Sequence, residues 1–347
     1  MDLKERIEAF AELGNQLRNS LEQSDKDSNS TLSALINSQQ YRNPWFTPDN
    51  VTAAVKAIAN ELTPDILAKW TGLYPEIESI RSPYNVAVIM AGNIPLVGFH
   101  DFLCVLMTGN HLLAKTSSRD SELIVHISEI LCSINPGFRD MIRFTDGKLT
   151  GFDAVIATGS NNTSRYFEYY FGKYPNIIRK NRTSVAILDR NESDQDLKDL
   201  GTDIFSFFGL GCRNVSKLYI PEDYDLKNLI NQWDGFSGVI NNNKYANNYD
   251  FNKAVYLVNK DRFLDSGYML LKEEKGLSSP VAVLYYECYR SYDTAILSID
   301  LMKDRIQCIV SGKHTRFGKA QQPHLWDYSD GIDTIEFLLK KKSPGIL

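Results

Sequence analysis

The sequence has few cysteines, no cluster of basic residues and no long hydrophobic run. Its five cysteines are odd in number and form no Cys-x-x-Cys pair, so we expect neither a disulfide framework nor a bound metal. The first residues, Met1 to Arg6, are too charged for a secretory signal, and no apolar stretch is long enough to cross a bilayer. We therefore expect a cytoplasmic protein without a membrane span.

The charge balance is mildly acidic, with 38 Lys and Arg residues, 43 Asp and Glu residues and a net charge of -5. Nucleic acids and anionic membranes select clustered Lys and Arg, so we expect no nucleic acid partner and favour small molecules. The 347 residues, 43% of them hydrophobic, can bury two cores. A homodimer is the candidate assembly because dimers are the commonest soluble oligomers.

Apolar runs alternate with amphipathic segments from Asn85 onward. Strands are predicted over 85–91, 111–115, 154–157 and 185–188, with helices over 96–107, 121–132 and 164–171 between them. This pattern predicts a doubly wound α/β domain, with a parallel sheet and ligands at the carboxyl ends of its strands. Residues 1–80 are predicted to be helical, with a polar linker over 23–31 and helix starts at Thr47 and Thr63. A second α/β unit is predicted from Val215 to about Gly312.

One thiol stands where a predicted helix, 194–208, gives way to a predicted strand, 215–220. Cys212 follows Gly209 and Gly211, which permit unusual backbone angles and the close approach of a ligand. A substrate carbonyl can then lie against the Cys212 amide while the sulfur attacks it, which makes Cys212 a candidate nucleophile. The alternative is that Cys212 is a small buried hydrophobic residue.

Four short motifs follow one another along the chain: Ala91-Gly92-Asn93-Ile94-Pro95, Ala114-Lys115-Thr116-Ser117-Ser118, Ala157-Thr158-Gly159-Ser160 and Gly209-Leu210-Gly211-Cys212. Their order and spacing resemble the aldehyde dehydrogenase superfamily, and more closely its acyl-coenzyme A reductase branch, the relatives of the fatty-acid reductase of bacterial bioluminescence. The resemblance implies two doubly wound α/β lobes with a helical N-terminal segment. It divides the chain into a helical segment (1–80), a cofactor-binding domain (81–208), a catalytic domain (209–317) and a tail (318–347) that packs back on the body.

The resemblance gives the motif residues chemical roles. Cys212 would be the nucleophile, and the Asn93 amide and the Cys212 backbone amide would form the oxyanion hole. Lys115 would bind the adenosine ribose of a nicotinamide cofactor. Taken alone, Asn93 fits an ordinary turn residue and Lys115 an ordinary surface charge.

Two further contacts to the cofactor are implied. Thr158, Gly159 and Ser160 would meet its pyrophosphate at a helix N-terminus, although a helix cap without a ligand has the same sequence. Members that prefer NAD often carry a glutamate where this chain has Ser118. Because a neutral hydroxyl tolerates the ribose 2′-phosphate where a carboxylate repels it, we favour NADP(H) over NAD(H).

The sequence departs from the hydrolytic members of the superfamily in one informative place. They carry a glutamate base about thirty residues before the cysteine, whereas this chain has Ile178-Arg179-Lys180-Asn181-Arg182. Water attack on an acyl-enzyme therefore lacks its usual local base. Arg179 and Arg182 are candidate contacts for an anionic substrate, with solvated surface charge as the alternative.

We therefore expect NADPH-dependent reduction of an acyl-coenzyme A thioester to an aldehyde through an acyl group on Cys212. An acyl-phosphate reductase and an aldehyde-oxidising dehydrogenase are alternatives within the same superfamily. A non-catalytic cofactor-binding subunit, in which Cys212 is simply buried, is the alternative of another class.

Overall fold

Contacts along the chain divide it into two units in the computed structural model, which describes residues 1–24, 31–79 and 82–340. The first unit is Met1–Asn181 together with the chain from His324, and the second is Arg182–Pro323. Most of the predicted linker over 23–31 lies outside the described residues. The functional ranges 81–208 and 209–317 are not tested by this geometric division and stay a prediction.

Among the described residues, four α-helices precede the first strand: α1 (Leu3–Ser24), α2 (Thr31–Arg42), α3 (Pro48–Glu61) and α4 (Pro64–Thr71). The predicted starts of α3 and α4 are confirmed. Thr47 Oγ1 accepts a hydrogen bond from the Asn50 amide, and Thr63 Oγ1 accepts one from the Ile66 amide. The proline after each cap costs the helix no hydrogen bond, because the first amide of a helix has no partner within the helix.

The first unit contains a sheet of five strands: β1 (Asn85–Ile89), β2 (His111–Lys115), β3 (Ile142–Phe144), β4 (Ala154–Thr158) and β5 (Asn176–Arg179). Their order is β3-β2-β1-β4-β5 and every pairing is parallel. The strands are connected through α5 (Phe99–Met107), α6 (Glu122–Ile134) and α7 (Asn161–Phe171). The predicted parallel α/β arrangement is thus confirmed. Helix α5 begins three residues later than predicted, after Leu96 adopts a left-handed φ of 58°.

The second unit contains six strands: β6 (Thr183–Ile187), β7 (Val215–Pro221), β8 (Leu264–Asp265), β9 (Leu270–Glu273), β10 (Val283–Tyr289) and β11 (Ile306–Val310). Their order is β11-β6-β7-β10-β9-β8, and only the β8–β9 pairing is antiparallel. Its α-helices are α8 (Asp194–Phe205), α9 (Leu226–Asn231), α10 (Asn243–Asn259) and α11 (Tyr292–Asp300).

One predicted strand belongs to a different sheet from the one expected. The prediction that 185–188 completes the first sheet is wrong, because β6 pairs with β7 and β11 in the second unit. Residues 185–188 are fully buried and apolar, as predicted. Burial and apolar character identify a strand but carry no information about which neighbour it pairs with.

The chain returns to the first unit at His324, and its described part ends in α12 (Thr334–Lys340). The Tyr328 hydroxyl lies 2.8 Å from Trp70 Nε1 and 2.8 Å from the Tyr74 hydroxyl, which donates to Asp333 Oδ2 at 2.6 Å. Burial and the Asp333 carboxylate raise the pKa of Tyr74 above its usual range. The returning segment is therefore part of the core of the first unit. Among the described residues, no helix combines the length and apolar character that a membrane crossing requires.

Candidate active site

Three adjacent strands of the first sheet carry the predicted cofactor contacts and Asn93 at their carboxyl ends. Strands β2, β1 and β4 are neighbours in the sheet. Lys115 ends β2, Asn93 lies in the loop after β1, and Thr158 ends β4. Because parallel strands place their carboxyl ends at one edge, the structure brings these motifs together.

The β2 end presents an ammonium group and a hydroxyl. Lys115 is half-buried, and its Nζ donates to the Gly147 carbonyl at 3.0 Å. Ser118 lies three residues further on and is exposed. Asn93, in the neighbouring loop, is also exposed. All three predicted residues are therefore accessible to a ligand at this edge.

The β4 end leads directly into α7. Ser160 is the N-cap of this helix, and its Oγ accepts from the Thr163 amide at 3.2 Å. Thr158 and Gly159 are partly exposed just before the cap. The positive end of the helix dipole lies here, which favours an anionic group such as a phosphate.

The second unit carries the candidate nucleophile in a tight turn between α8 and β7. The Asn214 amide donates to the Gly211 carbonyl at 3.1 Å, which closes the turn around Cys212 and Arg213. Cys212 is partly exposed. The prediction of a thiol in a turn between a helix and a strand is confirmed, whereas its role as nucleophile stays a prediction.

The helix before the turn ends earlier than predicted. Helix α8 ends at Phe205, and after Ser206 the residues Phe207, Phe208 and Gly209 have φ values of 52°, 57° and 75°. The left-handed region costs a residue with a side chain on the order of 1–2 kcal/mol, while glycine adopts it freely. Both phenylalanine rings are buried. Burial of these rings offsets the strain, which a helix-period pattern does not reveal.

A buried asparagine connects the end of α8 to the turn. Asn214 is 2% exposed, and its Oδ1 accepts from the Gly211 amide at 2.8 Å. Its Nδ2 lies 3.1, 3.4 and 2.8 Å from the carbonyl oxygens of Asp203, Ile204 and Ser206. One side chain therefore bonds both to the final carbonyls of the helix, which have no partners within it, and to the residue before Cys212.

A second buried side chain, the hydroxyl of Ser184, holds the turn from β6. Ser184 is fully buried, and its Oγ donates to the Cys212 carbonyl at 2.9 Å. The same oxygen accepts from the Cys308 amide at 3.2 Å and lies 3.1 Å from Cys308 Sγ. The backbone of Cys212 is thus fixed from strands β6 and β11.

A buried carboxylate supports α8 from the other direction. Asp203 accepts from the Gly318 amide at 2.7 Å and the Ala320 amide at 2.9 Å. Burial raises the pKa of Asp203 to about 7, and the two amides oppose that shift. Asp203 therefore joins the segment after β11 to the helix that leads into the turn around Cys212.

The two predicted arginines have well-defined partners. Arg179 is 4% exposed and forms an ion pair with Asp101, and its Nη2 donates to Thr334 Oγ1 at 2.9 Å. Arg182 donates to the Ile306 carbonyl at 3.2 Å. The Asp101 carboxylate accounts for the charge of Arg179, and contact of either arginine with an anionic substrate stays a prediction.

Sequence reasoning did not identify Asn214, Ser184 or Asp203. Asparagine is frequent in turns, so Asn214 two residues after the candidate nucleophile carried a weak signal. Ser184 and Asp203 carried none, because their partners are backbone atoms far away in the sequence.

Comparison with known proteins gives one family and one fold. A family model described as acyl-CoA reductase (LuxC) matches residues 7–229, well over half of the chain. No curated protein sequence matches.

Two solved structures represent the similar folds. Aldehyde dehydrogenase 21 from Physcomitrella patens, in complex with its reaction product succinate, has a TM-score of 0.63 at 13% identity, with 98% of this chain and 84% of that chain covered. An aldehyde dehydrogenase from Bacillus cereus, solved with NAD+, has a TM-score of 0.59 at 13% identity, with 89% and 72% covered. At these identities the likeness shows the aldehyde dehydrogenase fold alone.

The role of the Asn214 side chain predicts a stability effect. Asn214→Ala removes its four contacts, so we expect the free energy of unfolding to fall by about 1–3 kcal/mol in urea denaturation. Asn214→Asp keeps the acceptor for Gly211 but loses the donor, and should lose most of the same stability. Asn248→Ala removes a comparable but exposed amide contact in α10 and should stay within about 0.5 kcal/mol of the parent. An Asn214→Ala variant as stable as this control would contradict the prediction.

Proposed function

Because the chain belongs to the LuxC acyl-CoA reductase family, we propose that it reduces an acyl-coenzyme A thioester to an aldehyde with NADPH, carrying the acyl group on Cys212. The family makes the chain an oxidoreductase that acts on aldehyde or acyl groups. The observation that carries the finer proposal is the turn around Cys212, where Asn214 and Ser184 fix the backbone of a partly exposed thiol.

The proposed reaction begins with the thiol. Cys212 Sγ forms a bond to the acyl carbon while the carbon–sulfur bond of the thioester breaks, and coenzyme A leaves with the proton that the Cys212 thiol gives up. A bound nicotinamide supplies the hydride that reduces the acyl carbon. Cys212 then releases the aldehyde, and its thiolate takes up a proton from solvent. In this scheme the rigid turn keeps Sγ oriented through both steps, which limits the entropy lost in each.

Asn93 is proposed to stabilise the negative charge that develops on the carbonyl oxygen. Its amide and the backbone amide of Cys212 are the two donors in the scheme, and hydrogen bonds to a developing oxyanion are worth about 3 kcal/mol each. The exposed position of Asn93 in its loop supports this assignment, because its side chain is accessible to a ligand.

The donor set at the carboxyl edge of the first sheet suits a dinucleotide. Lys115 would hold a ribose, and Thr158, Gly159 and Ser160 at the start of α7 would hold the pyrophosphate. This set contains an ammonium group, hydroxyls and a helix N-terminus, all of which favour an anionic ligand. Ser118 is exposed and uncharged, so it does not repel a 2′-phosphate on the ribose, and this supports NADPH over NADH.

The chain lacks the glutamate that activates water in hydrolytic members of the superfamily, and this favours reduction over aldehyde oxidation. The usual position of that glutamate is here the end of β5, where Arg179 is buried and paired with Asp101. An acyl-enzyme formed on Cys212 is therefore without a base at that position and persists until it is reduced.

Replacing the thiol tests the proposal. Cys212→Ala should reduce acyl-CoA-dependent NADPH oxidation by at least about 10⁴-fold, because nucleophilic catalysis has no substitute once the sulfur is lost. NADPH binding, measured by fluorescence titration, should be unchanged. Cys288→Ala, which removes an exposed thiol on β10, serves as the matched control and should keep full activity. Aldehyde formation by Cys212→Ala at the parent rate would refute the mechanism.

The cofactor assignment is tested at Ser118. Ser118→Glu places a carboxylate where the 2′-phosphate is proposed to lie, and a repulsion of about 1.4 kcal/mol raises the KM for NADPH tenfold. The KM for NADH should rise by much less. Ser118→Gln introduces a side chain of nearly the same size as glutamate but without its charge. Its KM values for NADPH and NADH should therefore differ less than those of Ser118→Glu. Equal effects of Ser118→Glu on both cofactors would contradict the proposed NADPH preference.

A further inference from the structure

The loops after β1 and β2 are packed tightly against each other. The β1 loop, 90–96, carries Asn93, and the β2 loop, 116–120, carries Ser118. A Cβ atom added to Gly92 would lie 2.5 Å from Ser117 Oγ and 2.7 Å from Ser117 Cβ. Only glycine allows this approach, so the position of one loop constrains the other.

One carboxylate bridges the two loops. Asp120 Oδ2 accepts from the Leu96 amide at 2.7 Å. The side chain is 5% exposed, and within the described residues its Oδ1 has no hydrogen-bond partner. A buried carboxylate normally has partners for both oxygens, so this arrangement is costly to maintain.

The bridge acts where the backbone is strained. Leu96 has a φ of 58°, in the left-handed region that a leucine rarely adopts. Such a conformation persists only when the surroundings over-determine it. The bond from its amide to Asp120, the buried Leu96 side chain and the close packing of Gly92 supply that constraint. Asn93 lies between Gly92 and Leu96, so both ends of its short segment are fixed.

We propose that Asp120 is a positioning residue, which fixes the loop of Asn93 so that the Asn93 amide is oriented before substrate binds. The proposal rests on the role of Asn93 in the proposed function. Asp120 touches no reacting group in this scheme and acts through the Leu96 amide. It makes the β2 loop a structural support for the proposed oxyanion donor as well as for the proposed cofactor contact.

The acceptor oxygen of Asp120 is what the proposal requires, rather than its charge. Burial raises the pKa of Asp120 to about 7, which the bond from the Leu96 amide opposes. No ion pair to Asp120 is present among the described residues. Asp120→Asn therefore preserves the essential acceptor, while Asp120→Ala removes it.

A double-mutant cycle in the full-length enzyme tests the coupling. Asn93→Ala is expected to lower kcat about 10²–10³-fold, as for other oxyanion donors. Asp120→Ala should lower kcat at least about tenfold with little change in the KM for acyl-CoA, because it disorders the same donor. The double variant should be no slower than Asn93→Ala within about twofold, since residues that act as one unit do not add.

Two variants control for folding. Asp120→Asn should restore kcat to within about threefold of the parent, and Asp140→Ala, an exposed acidic residue of the same unit, should leave it unchanged. Thermal unfolding of each variant is compared with that of the parent. If Asp120→Ala does not fold, the test rests on Asp120→Asn. A loss of kcat in a folded Asp120→Asn variant would overturn the acceptor role of Asp120.

The kcat values distinguish failure of the Asp120 role from failure of the Asn93 role. Effects of Asn93→Ala and Asp120→Ala that multiply in the double variant would overturn the positioning role of Asp120 and leave that of Asn93 intact. An Asn93→Ala variant with parent kcat would overturn the proposed oxyanion donor, and the positioning role with it.

Discussion

The side chain of Asn214 fixes the part of the second unit on which the proposed chemistry depends. Helix α8 must end and the chain must turn within a few residues to reach β7, and this leaves carbonyl oxygens at the helix end without helical partners. Asn214 Nδ2 lies at three of these carbonyls and its Oδ1 binds the Gly211 amide. Without the Asn214 side chain the turn would lose its bonds to the end of α8 and to the Gly211 amide, and the Ser184 hydroxyl and the Asn214 backbone amide would be left to hold the chain around Cys212.

In the first unit, the buried side chain of Asp120 holds a loop in a similar way. In both units the residue proposed for chemistry is accessible, while the residue that shapes its loop is buried and bonded to backbone amides or carbonyls. Asn93 and Cys212 both lie in loops next to left-handed residues, Leu96 on one side and Phe207 to Gly209 on the other. Both proposed reacting groups thus lie within a few residues of strained backbone, and buried polar side chains hold that backbone in place.

Much of the fold follows from the sequence because its signals are local. Apolar strands at 111–115 and 154–157 and the caps Thr47 and Thr63 are where the pattern predicts them, and the α/β class with parallel sheets is confirmed. Strand partnership is not local, so the sequence pattern places β6 in the wrong sheet. The end of α8 and the roles of Asn214 and Asp120 depend on buried contacts to backbone atoms, which residue type and spacing do not encode. Local patterns do not identify the family of the chain, whereas the order of the four motifs indicates the acyl-coenzyme A reductase branch. The match of the LuxC family model over residues 7–229 confirms this family assignment.

The central claim is that the acyl group of the substrate becomes bonded to Cys212. It is tested most directly by mixing the enzyme with acyl-CoA in the absence of any nicotinamide and mapping the products by peptide mass spectrometry. The account predicts one acyl group on the peptide that contains Cys212, one equivalent of released coenzyme A, and loss of the adduct when NADPH is added. An enzyme that reduces acyl-CoA but acquires no acyl group at Cys212 would contradict it.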